Sequence, residues 1–176
     1  MEAAERKGVR LGVDIGTVRV GVALCDPDGI LATPWRTLSR DAKKNSDLRV
    51  IVRQALESQA VVVYVGLPQT LRGTESGSAE LARQLAGTLA ALLSEAGLST
   101  EVRLIDERLS SVSAHQQLRA AGVAGREQRK VVDQVAAAGI LQHALEMEKS
   151  ASGPVGELVP ARVGTARSGQ HDVNGR

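Results

Sequence analysis

The sequence predicts an α/β domain. It is a mixed five-stranded sheet, three antiparallel strands followed by two parallel ones, with helices on both faces. Three observations predict it. Residues 9–38 hold three short extended segments joined by tight turns. From residue 43 the apolar period lengthens to that of a helix. After that, strand-like and helix-like segments alternate, which demands parallel strands joined by right-handed crossovers.

The elements follow in order. Residues 9–14, Val-Arg-Leu-Gly-Val-Asp, alternate apolar with other side chains and read as a strand, as do residues 19–25. Asp26-Pro27-Asp28-Gly29 is a turn, and residues 30–38 resume an extended pattern with Pro34 marking an edge. Leu48, Ile51, Val52, Ala55 and Leu56 place a helix over 43–58. The β-branched run at 61–66 is a strand buried on both faces. Pro68, Gly73 and Gly77 make 67–77 a mobile loop. Leu81, Leu85, Leu89 and Leu92 mark a second helix that ends near Gly97. Residues 101–106 form the fifth strand. Residues 110–121 and 129–148 form two more helices around a Gly122/Gly125 loop. Residues 1–150 make one domain, and 151–176, with five Gly and two Pro, are expected to be a disordered tail.

Composition narrows the function. The 176 residues are 43% hydrophobic and 24% charged, the balance of a soluble globular chain. Aromatics are 1%, Trp35 and Tyr64 with no Phe, too few for a nucleic-acid module built on stacking platforms. The net charge of +2 is a weak basic excess, compatible with a phosphate-rich partner. A single cysteine, Cys25, excludes an intramolecular disulfide, so a reduced, cytoplasmic setting is expected. The first residues lack the apolar core of a signal peptide, and no apolar run reaches the ~20 residues of a membrane span. One Cys and three scattered His do not suggest a structural zinc site.

Carboxylates collect where such a fold converges. Asp14 ends the first strand, Asp106 and Glu107 end the fifth, and Asp133 opens the last helix. Each has apolar neighbours, and a partly buried carboxylate needs a compensating cation or donor. Acids from three distant segments suit Mg²⁺, which takes hard oxygen ligands and one or two carboxylates per ion. Metal ions so placed can activate water for an in-line phosphoryl displacement. Gly12 and Gly16 flank Asp14 and allow close approach of a phosphate or of another chain segment. Ala136 and Ala137 let the last helix press on the sheet. Arg19, Arg108, Arg126, Arg129 and Lys130 surround the proposed mouth and suit phosphate contacts. Each residue also has a purely structural reading: a strand-end turn, a helix N-terminal charge, or a solvated basic face.

These segments together resemble a known family. They are Leu11-Gly12-Val13-Asp14-Ile15-Gly16-Thr17-Val18-Arg19-Val20-Gly21-Val22-Ala23, then Val65-Gly66-Leu67-Pro68, Asp106-Glu107-Arg108-Leu109-Ser110-Ser111, and Val132-Asp133-Gln134-Val135-Ala136-Ala137. Their order and spacing over residues 8–148 look like the bacterial YqgF family, also called RuvX, of Holliday junction resolvases. The resemblance implies an RNase H-like fold and a nuclease dependent on Mg²⁺ or Mn²⁺. By it, Asp14, Glu107 and Asp133 are the catalytic metal ligands, with Asp106 the alternate second acid, and Thr17 and Arg19 lie near substrate. Strand alternation puts Asp106 and Glu107 on opposite faces without saying which face holds the site. The implied partner is structured RNA, at the 5′ end of precursor 16S ribosomal RNA, or branched DNA at a four-way junction. The protein would be a monomer or, for junction resolution, a homodimer. Two other classes compete. Asp-Ile-Gly-Thr also opens the phosphate hairpin of actin-like ATPases and sugar kinases, which need two such domains. A binding module without catalysis would use the acids only structurally.

Overall fold

A computed structural model of the chain describes residues 7–68, 77–107 and 126–161. The opening hairpins form as the turn chemistry requires. β1 (Arg10–Ile15) pairs antiparallel with β2 (Arg19–Cys25), and β2 with β3 (Ala32–Ser39). The Asp26 carboxylate closes the second turn by accepting hydrogen bonds from the backbone N–H groups of Leu31, Ile30 and Asp28, which lower its pKa. A register shift at Val22/Ala23 bulges β3, leaving Trp35 half-buried at the sheet edge under the Arg36 guanidinium.

α1 (Ser46–Ser58) starts after Asn45 in the left-handed conformation. Its entry loop is gathered by the Asp41 carboxylate, which the Ser46 hydroxyl first and the amides of Lys44, Ser46 and Lys43 next hold down at about pKa 2. β4 (Val62–Leu67) then runs parallel to β1, α2 (Gly77–Glu95) crosses back, and β5 (Glu101–Asp106) lies parallel to β4. α3 (Arg126–Ala151) is the long last helix.

The sheet has six strands, not five, in the order β3-β2-β1-β4-β5-β6. The sixth, β6 (Glu157–Val159), runs antiparallel to β5 inside the segment expected to be disordered. Its three residues are too few to show a period of two, so nothing in the sequence announces it. It covers the outer edge of β5, whose backbone groups would otherwise lack ladder partners. Val155 is buried, Gly156 turns at φ 79°, and Arg83 on α2 pairs with Glu157 at 2.7 Å. The expected helix at 110–121, the loop residues 69–76 and the segment 162–176 lie outside the described residues.

Pleat alternation divides the core. Leu11, Val13, Val20, Val22, Val63, Val65, Val102 and Leu104 face α1 and α2. Ala23, Cys25, Val62, Tyr64 and Ile105 face α3, against its Ala137, Ile140, Leu141, Ala144 and Leu145. α3 sits low on the sheet because β1 and β2 each present a glycine, Gly12 and Gly21, beneath it. A Cβ on Gly12 would come within 2.6 Å of the Ala137 carbonyl oxygen, and one on Gly21 would fall on the Asp133 carbonyl. At its far end α3 is pinned by Glu148, which accepts a hydrogen bond from the Tyr64 hydroxyl and pairs with Arg10 at 3.0 Å. Burial raises the Cys25 thiol pKa, and the Arg10 amide donates to its sulfur at 3.3 Å, so Cys25 is a core residue.

Candidate active site

The C-terminal ends of the parallel strands β1, β4 and β5 lie side by side, and α3 crosses the sheet beside them, with its first turns on β2 and β3. Asp14 shares a face with Gly12, two residues earlier, and that face lies under α3. Its partner across the β1–β2 ladder is Gly21, and the backbone of Asp133 rests directly on Gly21. Gly21 therefore lies between Asp14 and the backbone of Asp133, which are 119 positions apart in the chain.

The fifth strand puts Asp106 and Glu107 on opposite faces. Asp106 pairs with Leu67 and shares the face of Leu104, toward α1 and α2. Glu107 shares the face of Ile105, toward α3, and is buried. Its backbone N–H donates to the Leu67 carbonyl at 3.1 Å, and its carboxyl fills the space above Gly66, beside Ile140. A Cβ on Gly66 would collide with that carboxyl.

Glu107 is hydrogen-bonded to Asp14. Burial first, then the Asp14 carboxylate and the bond to it, and then Asp106, push the Glu107 carboxyl up to about 8. Two carboxyls in contact and removed from solvent favour holding a proton between them. The consequence for stability has a definite sign. The fold holds this proton more tightly than the unfolded chain does, so stability falls as pH rises from about 4.5 to about 8. In EDTA the melting temperature should drop across that window, and Glu107→Gln should flatten the drop. A wild-type curve flat between pH 5 and 8 would contradict the shared proton.

The third acid is engaged differently. The Asp133 Oδ2 accepts a hydrogen bond from Arg19 Nε at 2.8 Å. Among the described residues no three acid, His or Cys side chains stand as a ready cage for a metal ion. The donor chemistry fits one nonetheless. Asp14 and Glu107 offer hard oxygens in contact with one another, and a Mg²⁺-type ion takes only one or two carboxylates and keeps several waters.

The remaining candidates divide. Thr17 is exposed in the β1–β2 turn, which the Gly16 amide closes on the Arg19 carbonyl at 2.9 Å. Lys130 is exposed on α3, and its carbonyl accepts the Thr37 hydroxyl at 2.6 Å. Arg108 lies outside the described residues, as do the side chains of Arg126 and Arg129. Gly12 admits α3 rather than a phosphate. Gly21 and Gly66 shape the site, and sequence reasoning did not single them out. Their only signal was their place in the quoted motifs.

No helix among the described residues is long and apolar enough to cross a membrane. The family model described as "RuvX: Holliday junction resolvase" matches residues 8–147. A protein of Clavibacter sepedonicus named "Putative pre-16S rRNA nuclease" is 47% identical over 155 residues, covering 88% of this chain and 93% of that protein. One of the same name from Mycobacteroides abscessus is 50% identical over 143 residues, covering 81% of this chain and 84% of its own length. Among solved structures, Thermus thermophilus RuvC in complex with a Holliday junction substrate aligns at TM-score 0.50 with 14% identity, over 84% of this chain and 99% of that one. That likeness concerns the fold, which is of the RNase H-like class.

Proposed function

Because the chain belongs to the RuvX family of Holliday junction resolvases, we propose that it is a metal-dependent endonuclease that hydrolyses nucleic-acid phosphodiester bonds, with the 5′ end of precursor 16S ribosomal RNA as its substrate. The observation that carries this reading is the contact of Asp14 with buried Glu107, beside the Arg19–Asp133 pair, where three strands end together. Carboxyls forced together in this way cost stability unless a cation relieves them, and a cation site is what phosphodiester hydrolysis uses. Asp14, Glu107 and Asp133 would hold Mg²⁺ or Mn²⁺, which supplies the charge that activates water and stabilises the leaving oxygen. Asp106 points to the opposite face and is not in this set. Thr17, Arg19 and Lys130, with Arg108, Arg126 and Arg129, would position the substrate backbone. A cytoplasmic setting follows from that substrate.

Junction resolution is the second reading, favoured by the family description and by the RuvC-like fold. It demands two symmetric nicks and hence a C2 homodimer. The deciding experiment gives the protein a precursor 16S 5′-leader RNA and an immobile four-way DNA junction, each with Mn²⁺, Mg²⁺ or EDTA. Metal-dependent cutting of the RNA alone is the expected result. Paired symmetric nicks in the junction would replace that substrate with the second. No cutting of either would leave a binding module and overturn the enzymatic reading.

A further inference from the structure

We propose that Arg19 is an internal stand-in for a cation: its guanidinium holds the Asp133 carboxylate until a divalent ion draws that carboxylate toward Asp14 and Glu107, and the released guanidinium turns to a substrate phosphate. The inference rests on the reading of those three acids as metal ligands. Among the described residues, Arg10–Glu148 and Arg19–Asp133 join α3 to the sheet, and their environments differ. Arg10–Glu148 is sealed, with side chains 9% and 12% exposed. Arg19–Asp133 is open, at 27% and 23%. A pair that water reaches contributes little and is readily exchanged, whereas breaking a sealed one strands a buried charge. The sealed pair therefore braces the helix, and the open one is free to switch.

The backbone of Asp133 is seated on Gly21, across the ladder from Asp14, so the exchange asks for a change of its side-chain torsions on a fixed backbone. Arg19 is anchored by its own strand, with its carbonyl bound to the Gly16 amide, so its long side chain swings from a fixed base. Charge couples the two events. A dication beside Asp14 repels the guanidinium, and the guanidinium weakens binding of the dication. Metal loading and exposure of a phosphate-binding arginine become one step, which keeps the basic group masked until the site is competent.

The test is a Mg²⁺ titration of the full-length, ¹⁵N-labelled protein without nucleic acid. The Arg19 Nε–H resonance should be protected in EDTA, and Asp133→Ala, which removes the acceptor, should remove that protection. Mg²⁺ should shift or broaden it with the same midpoint as the backbone amides of Asp14 and Glu107. Arg19→Gln should bind Mn²⁺ about threefold more tightly, as removal of an exposed competing pair predicts. If the Asp14 and Glu107 amides respond while the Arg19 resonance stays protected, Arg19 is a fixed brace; the proposal falls and the metal site stands. Unchanged Mn²⁺ affinity in Arg19→Gln would also overturn it. If no amide responds to metal, the metal reading itself fails and takes the proposal with it.

Discussion

Asp14→Asn should bind structured RNA or a four-way junction as tightly as the parent protein and cut neither at more than about a hundredth of the parental rate. The magnitude is a lower bound, since losing even an outer partner of a metal ligand costs ~10–100-fold. The change is nearly isosteric. An asparagine amide can still donate to Glu107, so the contact between the two side chains survives. What disappears is one negative charge. Glu107 then loses its principal charged neighbour and ionises at lower pH, so the metal-free variant should be at least as stable as the parent at pH 8. Loss of cutting without loss of stability separates a catalytic acid from a structural one. Parental cutting rates in a purified Asp14→Asn protein would remove Asp14 from the mechanism.

Gly21→Ala should damage fold and activity together. A methyl group at this position falls on the carbonyl oxygen of Asp133, with the Asp133 carbonyl carbon at 2.4 Å and its Cβ at 3.1 Å. Backbone meets backbone, so no side-chain rotation relieves the clash. α3 must lift from β2, and overpacking of this kind costs ~1–3 kcal/mol or more. The lift also carries Asp133 away from Asp14, so cleavage should be lost even where the variant remains folded. Gly87→Ala on α2 is the control. Nothing lies within 4 Å of its added Cβ, and a glycine-to-alanine change inside a helix should stabilise by ~0.5–1 kcal/mol. Equal melting temperatures for Gly21→Ala and the parent would show that α3 is not seated as described.

The two glycines also explain why part of the site was legible in the sequence and part was not. Asp14, the Asp106–Glu107 pair and Asp133 stood out because a carboxylate at the end of an apolar strand or helix face is chemically costly, and that cost is visible in a linear pattern; only the family resemblance favoured Glu107 within the pair. Gly21 and Gly66 carry no side chain, so nothing local distinguishes them from other strand glycines. Their meaning comes from what rests on them, α3 in one case and the Glu107 carboxyl in the other. Arg19 was legible as a basic residue near the site. Its attachment to Asp133 joins residues 114 positions apart and belongs to no local pattern.

Local chemistry was enough for the order of the elements from residue 10 to residue 106. Turn residues at 26–29, a change of period near residue 43 and a β-branched run at 61–66 determine the hairpins, the first helix and the central parallel strand by short-range sterics and by the need to bury one face. The face on which the site lies was decided only in three dimensions. Alternation relates Asp106 to Glu107 but gives no absolute direction; packing of α3 on one side and of α1 and α2 on the other supplies it. The sixth strand was decided in the same way. Three residues with no periodicity become a strand because the edge of β5 offers unsatisfied backbone groups, and that edge exists only after the sheet has formed.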